Sequence, residues 1–227
     1  MTVIRVVVHG AEGRMGTRIC ERARRDARFD LVSLDTMNSC DVIIDFSSSE
    51  GAAQAAQLAA RHGAAIVVGT TALSAKTARV LDEIADSVPL LVAPNTSLGM
   101  AVAMRLAVSA ARALGPTWRV EIEERHHAAK RDAPSGTALR IAEVLAAEAG
   151  HRIDPADIRA ERIGEIVGEH VIRIVGSLET LEIAHVARSR DVFATGALDA
   201  AAWLVTRAPG RYRMEDIYGD RTNGTRP

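Results

Sequence analysis

Aromatic residues are scarce in this chain, and neither sign of charge dominates it. Phe, Trp and Tyr make up 3% of its 227 residues, which argues against recognition by aromatic stacking, as in proteins that bind single-stranded nucleic acid. The formal net charge is −1, so no overall field attracts the chain to nucleic acid or to an anionic membrane. We therefore expect no nucleic-acid partner and no membrane partner.

Cysteines and long apolar runs are also few. Cys20 and Cys40 form no CxxC pair and are too few for a disulfide scaffold, so we expect reduced, buried thiols. No stretch approaches the roughly 18 apolar residues of a membrane helix, and the N-terminus is typical of a first strand rather than a signal peptide. The hydrophobic share, 48%, allows a sizeable core. These features predict a cytoplasmic protein.

The first half of the chain alternates strand and helix signals. The apolar run from Val3 to Val8 is typical of a strand buried on both faces. Ser47 and Glu50 have the spacing of a capping box, which predicts a helix that ends at about His62. Further strands are predicted at 29–34, 41–46, 65–68 and 90–93, and a further helix at 74–85. This alternation predicts a Rossmann-like parallel sheet with helices on both faces.

The second half of the chain has a mixed order of elements. Helices are predicted at 99–114, 135–149 and 192–207, and strands at 118–123, 170–175 and 178–185. This order predicts a smaller α+β domain at about 97–190. The last long helix would return to the first domain, which would then contain residues 1–96 and about 191–227.

A glycine-rich segment, Gly10 to Gly16, follows the first predicted strand and opens a predicted helix. Glycines let the backbone approach a pyrophosphate, and a helix N-terminus offers N–H groups and a partial positive charge. Asp35 stands 19 residues beyond Gly16, where a carboxylate accepts hydrogen bonds from an adenosine ribose. Two simpler interpretations stay open: a tight turn needs glycine for steric reasons, and Asp35 is an ordinary turn residue.

Two further segments follow buried strands of the same predicted sheet. They are Gly69-Thr70-Thr71 and Ala93-Pro94-Asn95-Thr96. Both stand at carboxyl ends of strands, where open α/β sheets bind their ligands. Small and hydroxyl side chains there would admit a flat nicotinamide ring, although such segments alone are more often ordinary loops.

The densest chemistry of the chain lies between residues 121 and 137. His126, His127 and Lys130 leave a predicted strand, and Ser135-Gly136-Thr137 opens a helix. Histidine exchanges a proton near neutral pH, lysine balances a carboxylate or donates a proton, and N–H groups at the helix start suit a second carboxylate. The segment therefore suits a small dicarboxylate that is protonated during a reaction.

A metal site and a solvated polar loop are the alternative interpretations of the paired histidines. Adjacent histidines point to opposite faces of a strand, and no neighbouring Cys or His motif completes a tetrahedral set of ligands. We therefore predict no metal. His9, His62 and His151 have no comparable neighbourhood, so we interpret them as structural or surface residues.

The order of these motifs resembles the dihydrodipicolinate reductases, also called 4-hydroxy-tetrahydrodipicolinate reductases. Gly10–Gly16 resembles the family's GAxGRMG turn, Gly69–Thr71 its GTT, and Ala93–Ser97 its APNFS segment. The most specific match is the segment His126-His127-x-x-Lys130-x-Asp132-Ala-Pro-Ser-Gly-Thr-Ala138. The match continues, in order along nearly the whole chain, at Asp45–Ser47, Gly168–His170, His185 and Ser189–Ala197.

The resemblance implies a two-domain homotetramer that reduces 4-hydroxy-tetrahydrodipicolinate with NADH or NADPH, in the diaminopimelate route of lysine biosynthesis. The first domain would bind the dinucleotide, and the second would bind the substrate and form the oligomer. His126 would be the acid/base and Lys130 a proton donor. The substrate would be held by His127, Ser135, Gly136 and Thr137. The cofactor would be held by Gly10, Ala11, Glu12, Gly13, Arg14, Met15, Asp35, Gly69, Thr70, Thr71, Ala93, Pro94, Asn95, Thr96 and Arg190.

Three departures from the family pattern lie in the nucleotide-binding half. The segment between Asp35 and Asp41 is much shorter than in typical members, which changes the adenosine side of the expected pocket. Ala72 stands where the family usually has glycine, so a positive φ there would be strained. Thr96 stands where Phe is common, which would thin the apolar cover of the nicotinamide. Asp35, followed by an uncharged residue, favours NADH over NADPH.

Two other functions remain as alternatives. One is a different dehydrogenase of similar architecture, and the spacing from Lys130 to Thr137 argues against it. The other is a non-catalytic nucleotide-sensing protein. Retention of both His126 and Lys130 argues against the second alternative, because a sensor needs no proton donor.

Overall fold

The computed structural model describes residues 3–33 and 40–217, and the chain divides into two compact units. The first unit contains the chain up to Leu98 and again from Asp191, and the second contains Gly99–Arg190. No helix in the described ranges is long and apolar enough to cross a membrane. In chain order the elements are β1 (Ile4–His9), α1 (Arg14–Ala23), β2 (Phe29–Leu31), β3 (Val42–Asp45), α2 (Ser49–His62), β4 (Ala65–Val68), α3 (Ala75–Ile84), β5 (Pro89–Val92), α4 (Leu98–Leu114), β6 (Arg119–His126), α5 (Gly136–Ala149), a 3₁₀ turn (Pro155–Asp157), β7 (Arg159–Arg162), β8 (Gly168–Val175), β9 (Thr180–Ala187), α6 (Asp191–Leu204) and β10 (Gly210–Tyr212).

Six strands of the first unit form one parallel sheet in the order β10-β5-β4-β3-β1-β2. Val6, Val7 and Val8 are at most 5% exposed, and β3 and β4 are buried throughout. Val7 and Ile43 share a core with α2 and α3, while α6 packs on β3, β4 and β5 and contacts α1. The predicted Rossmann-like parallel sheet is therefore confirmed, and its buried strands explain the continuous apolar runs.

The start of α2 differs from the predicted capping box. Ser48 caps this helix by accepting a hydrogen bond from Gly51 N at 3.1 Å. The Ser47 hydroxyl instead donates to the buried carboxylate of Asp45 at 2.5 Å. The predicted box was wrong because a buried carboxylate at the end of β3 binds this hydroxyl in a charge-assisted hydrogen bond. The helix ends as predicted, at Gly63 with φ +64°.

The second unit is a mixed sheet in the order β7-β6-β8-β9, which packs on α4 and α5. Strand β6 is antiparallel to β8 and parallel to β7. Ile122 and Ile172 stand opposite each other and share a core with Met104 of α4 and Ile141 of α5. The predicted smaller α+β domain is confirmed, although β6 continues to His126 rather than ending three residues earlier.

Two short strands were not predicted. Strand β7 reads Arg-Ala-Glu-Arg, and β10 reads Gly-Arg-Tyr, so neither has an alternating or continuous apolar pattern. Both stand at the edge of their sheet. Edge strands contact a neighbour on one side only, so backbone pairing is sufficient to hold them and the side-chain signal is weak.

The face of the second sheet opposite the isoleucine core carries linked ion pairs. Glu123 contacts Arg173 at 2.8 Å and Arg125 at 2.7 Å. Arg173 also contacts Glu182 at 2.7 Å, and Arg125 contacts Glu161 at 3.0 Å. These residues share one face because side chains alternate along a strand. The face is therefore charged, while the opposite face is apolar.

Ala72 generates a prediction about stability, because it has φ +54° while the other positive φ values of the described ranges belong to glycines. A side chain in this conformation costs roughly 1–2 kcal/mol, whereas glycine adds about 0.4–1 kcal/mol of unfolded-state entropy. We expect Ala72→Gly to raise the free energy of unfolding by roughly 0.5–1 kcal/mol in denaturant titrations. The control is Ala27→Gly in an exposed turn, which should be destabilising. Equal destabilisation of both variants would contradict the prediction.

Candidate active site

The glycine turn after β1 packs tightly against the loop after β3. Gly10 has φ +82°, and a Cβ there would lie 2.6 Å from the carbonyl oxygen of Phe46. A Cβ at Gly16 would lie 2.1 Å from the carbonyl oxygen of Gly10. Both glycines are therefore required for steric reasons, whether or not the turn holds a ligand.

The N-terminus of α1 has the properties of an anion site. Its N-cap is Gly13, which supplies no side-chain hydrogen bond, and the first turn contains no acidic residue. By contrast, the serine side chains of Ser48 and Ser74 cap α2 and α3. The first turn of α1 therefore presents backbone N–H groups and the positive end of the helix dipole. These groups fit the pyrophosphate of a dinucleotide.

A buried carboxylate, Asp45, joins the ends of three strands beside this turn. Asp45 is 0% exposed and accepts hydrogen bonds from the hydroxyls of Ser47 and Thr70 at 2.5 and 2.6 Å. His9 Nδ1 lies 2.8 Å from the same carboxylate. His9, which the sequence grouped with structural or surface histidines, is thus part of a polar cluster around the buried Asp45.

The predicted cofactor residues of the first unit lie along one edge of its sheet, because the strands are parallel. Gly10–Met15 follow β1, Gly69–Thr71 follow β4 and Ala93–Thr96 follow β5. Strand β1 stands between β2 and β3, so the strand order reverses there, which is where such sheets bind nucleotides. Asp35 lies outside the described residues, and Arg190 is the last residue of the second unit.

Several of these side chains make hydrogen bonds within the first unit. Thr96 is 1% exposed and donates to the carbonyl oxygen of Phe193 at 2.7 Å. The side-chain oxygen of Asn95 accepts a hydrogen bond from Ser97 N at 2.9 Å. The Thr70 hydroxyl is bonded to the Asp45 carboxylate. The exposed members of the predicted set are Ala11, Glu12, Gly13, Arg14, Thr71 and Pro94.

Five polar side chains of the second unit form a row across its sheet, here called the polar row. Glu124 on β6 faces His170 on β8, and His170 faces His185 on β9. His126 on β6 is in register with Arg162 on β7. These side chains lie on the face of the isoleucine core, because side chains alternate along each strand.

Glu124 is the centre of the polar row. Its side chain is 0% exposed, and its Oε1 accepts hydrogen bonds from Ser135 N at 3.0 Å and from Arg162 Nη2 at 2.7 Å. Its other oxygen is hydrogen-bonded to His126 Nδ1. A buried carboxylate needs such partners, because removing its charge from water is otherwise very unfavourable.

The segment that contains Lys130 is fixed next to the polar row. Arg162 Nη2 also donates to the carbonyl oxygen of Asp132. Lys130 Nζ donates to both carboxylate oxygens of Asp132 at 2.8 Å. Burial would raise the pKa of Asp132, but the hydrogen bond and charge of Lys130 outweigh it, so the pKa is lowered. The structure thus places Lys130 and the polar row in one unit.

The other predicted substrate residues lie at or before the start of α5. Ser135 is 2% exposed, and its hydroxyl accepts a hydrogen bond from Ala138 N at 3.2 Å. Its own N–H donates to Glu124, so the polar groups of Ser135 are engaged within the protein. Gly136 is exposed, and a Cβ there would meet no atom of the described residues within 4 Å. His127 and Thr137 are partly buried.

Burial keeps the histidines of the polar row uncharged near neutral pH. Burial lowers the pKa of His126, although the hydrogen bond and charge of Glu124 raise it in part. Burial, followed by the charges of neighbouring groups such as His126, lowers the pKa of His170 to about 3. Burial also lowers the pKa of His185. Of the three, His126 is the one whose protonated form a buried carboxylate favours.

Glu124, His126 and His170 also offer metal-ligand atoms that lie within 4.8 Å of one another. The sequence did not predict this set, because it takes its third member from β8 and does not include His127. Arg162 already binds the Glu124 carboxylate, so a cation would have to compete with a guanidinium for it. The absence of a metal stays a prediction.

Sequence reasoning assigned no role to Glu124, Arg162, His170 or His9. Glu124 stands two residues before His126, and this spacing places both side chains on one face of a strand, so its position was predictable. Arg162 lies on β7, which no pattern indicated. The pairing of His170 with Glu124 depends on the register of β6 and β8, which a single sequence does not specify.

The buried histidines generate a prediction about acid stability. An unfolded histidine has a pKa of about 6.5, whereas the pKa of His170 is about 3 in the folded chain. Between these values the unfolded state binds more protons, so the free energy of unfolding falls as the pH falls. At pH 5 we expect His170 alone to account for a loss of roughly 2 kcal/mol. Denaturant unfolding at pH 7 and 5 should show a smaller loss in His170→Gln, and equal losses would contradict the assignment.

Family models match both units of the chain. The model described as dihydrodipicolinate reductase, N-terminus, matches residues 4–37 and 33–96, and the model described as dihydrodipicolinate reductase, C-terminus, matches residues 99–218. The two N-terminal matches meet at residues 33–37. This overlap contains Asp35 and the first residues of the segment that the sequence indicated as shortened.

Similar proteins match along most of their length. A 4-hydroxy-tetrahydrodipicolinate reductase from Myxococcus xanthus is 42% identical over 195 residues, which cover 79% of this chain and 72% of that protein. The reductase of the same name from Syntrophotalea carbinolica is 35% identical over 265 residues, which cover 96% of this chain and 99% of that protein. The dipicolinate-bound dihydrodipicolinate reductase from Paenisporosarcina sp. TG-14 shares the fold, with a TM-score of 0.79 at 22% identity over 95% of this chain and 100% of that chain. Because both family models match and full-length relatives exceed 30% identity, the chain belongs to the dihydrodipicolinate reductase family.

Proposed function

We propose that this chain is an NAD(P)H-dependent oxidoreductase that reduces 4-hydroxy-tetrahydrodipicolinate in the diaminopimelate route of lysine biosynthesis. The observation that carries the proposal is the polar row, in which His126 is bonded to a buried carboxylate while Lys130 lies on the adjoining segment. This combination suits a dicarboxylate substrate that receives a proton. The relative from Syntrophotalea carbinolica, which aligns over 99% of its length, is named a 4-hydroxy-tetrahydrodipicolinate reductase. The first unit binds the nucleotide, and the second binds the substrate.

The reaction separates hydride chemistry from proton chemistry. Loss of water from C4 and C3 of 4-hydroxy-tetrahydrodipicolinate first gives a ring in which a C=C bond is conjugated with the imine. A bound nicotinamide would supply a hydride to C4 of this dehydrated ring, and the imine nitrogen would take up the displaced electron pair to leave an enamine. The enamine then gains a proton at C3, and this proton comes from the protein. His126 acts as the acid/base, and Lys130 donates a proton while it neutralises substrate charge.

The two carboxylates of the substrate need two separate contact sites. Lys130 provides one, since its side chain is 22% exposed and its partner Asp132 is 58% exposed and open to exchange. The N-terminus of α5, at Gly136 and Thr137, provides the second through backbone N–H groups and the helix dipole. We assign His127 to the same substrate site, and Ser135 supports the site by capping the helix.

The nucleotide occupies the edge of the first sheet. The start of α1 holds the pyrophosphate, and the strand ends at Gly69–Thr71 and Ala93–Thr96 hold the nicotinamide. Because Thr70 and Thr96 use their hydroxyls within the unit, these two residues contribute backbone groups to the ring. We assign Arg190 to the cofactor as well, because the segment Ser189–Ala197 resembles the family.

The rival functions are not favoured. A nucleotide sensor needs neither His126 nor Lys130. A dehydrogenase of a different family is not favoured, because the relative that aligns over 99% of its length is named a 4-hydroxy-tetrahydrodipicolinate reductase. Both cysteines are free and buried, which supports the cytoplasmic location inferred from the sequence.

The oligomer is a homotetramer formed through the second unit. The charged face of its sheet alternates Glu and Arg residues, of which Arg125 and Glu161 are 45% and 55% exposed. A face that alternates both signs is complementary to a second copy of itself, as a symmetric interface requires. Sedimentation velocity of the purified chain tests this arrangement, and a monomer at micromolar concentration would contradict it.

A coupled assay tests the activity. Pyruvate and aspartate semialdehyde are condensed immediately before use, and the loss of absorbance of the reduced cofactor is followed with and without this product. We expect cofactor oxidation that depends on the condensed substrate. Oxidation at the same rate without substrate, or none in its presence, would overturn the proposed function.

A prediction about inhibitors follows from the two carboxylate contacts. Pyridine-2,6-dicarboxylate, which carries both carboxylates in one plane, should compete with the substrate. Pyridine-2-carboxylate should be much weaker, because it loses one set of charge-assisted hydrogen bonds worth about 1.5–3 kcal/mol each. Lys130→Ala should lower kcat, raise KM and reduce the difference between the two inhibitors. Equal inhibition of the wild-type chain by both compounds would contradict the two-carboxylate arrangement.

A prediction about cofactor choice follows from Asp35, on the sequence alone. A carboxylate at the ribose favours the 2′-hydroxyl of NADH and repels the 2′-phosphate of NADPH, by on the order of a few kcal/mol at about 4 Å. We expect kcat/KM to be higher with NADH, and the double variant Asp35→Ala, Thr36→Arg to narrow or reverse the ratio. A tenfold preference of the wild-type chain for NADPH that the double variant leaves unchanged would show that Asp35 does not contact the ribose.

A further inference from the structure

Glu124 is bonded to each part of the candidate active site in the second unit. One carboxylate contacts the side chain of His126 at the end of β6, the backbone N–H of Ser135 at the start of α5, and the guanidinium of Arg162 on β7. Three separate chain segments therefore meet at a group with no exposed surface. These contacts satisfy the buried charge, and they also fix the three segments relative to one another.

We propose that Glu124, together with Arg162, is a positioning residue for the reductase reaction, which makes Nε2 of His126 the atom that exchanges the proton. This proposal rests on the proposed role of His126. Glu124 does not touch the substrate in this arrangement; it acts through His126 and through the segment that contains Lys130.

The hydrogen bond at Nδ1 determines which nitrogen of His126 is available. An ionised carboxylate is only an acceptor, so Nδ1 must carry a hydrogen in both the neutral and the protonated ring. Neutral His126 therefore has its lone pair on Nε2, and protonated His126 carries its transferable proton there. A carboxylate at Nδ1 also stabilises the protonated ring that forms when His126 takes up a proton.

The surroundings of Nε2 leave room for a reacting atom. A Cβ at Gly168 would lie 3.1 Å from Nε2 of His126, so the glycine leaves open a volume that any other residue would fill. The ring of His170 meets that of His126 edge-on, with centroids 5.2 Å apart. Because the pKa of His170 is lowered to about 3 by burial, His170 stays uncharged and does not compete for the proton.

Arg162 connects the same carboxylate to the lysine segment. Its Nη2 donates both to Glu124 and to the carbonyl oxygen of Asp132, whose side chain holds Lys130. Glu124 itself binds the N–H of Ser135, where the segment ends. The positions of Lys130 and His126 are therefore coupled through one ion pair, which is 16% exposed at Arg162 and 0% at Glu124.

Glu124→Gln tests the proposal, because it keeps the shape and removes the charge. An amide that turns its NH₂ toward His126 makes Nδ1 the acceptor and moves the hydrogen to Nε2. We expect kcat to fall about 10²–10⁴-fold and KM for the substrate to change less than about threefold. In the pH dependence of kcat, the apparent pKa that belongs to His126 should move to lower pH. Two-dimensional ¹H–¹⁵N spectra of the imidazole should show the exchange of tautomers.

Glu123→Gln is the matched control. Glu123 lies on the same strand, is 11% exposed at its side chain and is paired with Arg125 and Arg173 on the opposite face. The substitution removes the same charge without any contact to His126. Glu123 lies on the charged face assigned to the oligomer, so both variants are compared with the wild-type chain at a concentration where sedimentation shows the same assembly. There we expect the kcat, pH profile and imidazole spectra of Glu123→Gln to match those of the wild-type chain, and binding of reduced cofactor to be unchanged in both variants.

A double variant separates positioning from plain stability. Glu124→Gln leaves Arg162 without its anionic partner, so thermal stability should fall, and Glu124→Gln with Arg162→Met should restore it while kcat stays low. Recovery of kcat together with stability would overturn the proposal, as would a Glu124→Gln chain with an unchanged tautomer. The imidazole spectra do not require turnover. They therefore test whether Glu124 sets the tautomer of His126 even if the coupled assay shows no reduction of the proposed substrate.

Discussion

A buried carboxylate must be matched by hydrogen-bond donors that reach it, and this requirement fixes the chain at the ends of strands in both sheets. Asp45 and Glu124 are each 0% exposed. Leaving either carboxylate without partners would cost several kcal/mol. Neighbouring segments of the chain therefore donate N–H, O–H or guanidinium groups to the carboxylate, and these hydrogen bonds fix the position of the segments. Thr70, just after β4, donates to Asp45, and Ser135, at the start of α5, donates to Glu124. Each lies in a part of the chain that the sequence predicted as a ligand site.

The two buried carboxylates, Asp45 and Glu124, differ in the kind of partner that balances their charge. Asp45 is held by two hydroxyls and by His9, and its partners serve to join three strand ends. Glu124 is held by a guanidinium and a backbone N–H, so its negative charge is already balanced when it also binds His126. A balanced carboxylate can support a histidine in either protonation state. The first arrangement therefore joins strand ends, whereas the second meets the requirement of the proton transfer proposed for His126.

The sequence predicted those parts of the fold that have a strong local pattern. Continuous apolar runs indicated the buried strands β1, β3 and β4, and Gly63 and Gly150 marked helix ends that the structure has in left-handed conformation. The helix start at Ser47 was predicted one residue too early, because a carboxylate distant from the helix binds that hydroxyl. Strands β7 and β10 escaped prediction, since backbone pairing at a sheet edge leaves almost no side-chain signal.

The same reasoning explains which site residues were predictable. His126 and Lys130 stand in one short segment, and local spacing is enough to single them out. Arg162 reaches the same carboxylate from a strand 38 residues from Glu124, and no property of its own segment, Arg-Ala-Glu-Arg, indicates that it is more than a surface residue. A buried ion pair between distant segments is visible only once the register of the sheet is known.

The departures of this chain from its family are unevenly distributed, and their physical effects differ. The positive φ of Ala72 adds backbone strain next to Gly69–Thr71. Thr96 in place of an aromatic residue is 1% exposed and bonded to Phe193 within its own unit, so it braces the chain after β5 against α6. By the resemblance, the shortened segment after Asp35 belongs to the adenosine side of the proposed cofactor site. All three departures lie in the half of the sequence assigned to the nucleotide, whereas Glu124 and His126 have their partners within the second unit. We therefore expect differences between this chain and its relatives in how the cofactor binds rather than in the proton transfer proposed for His126.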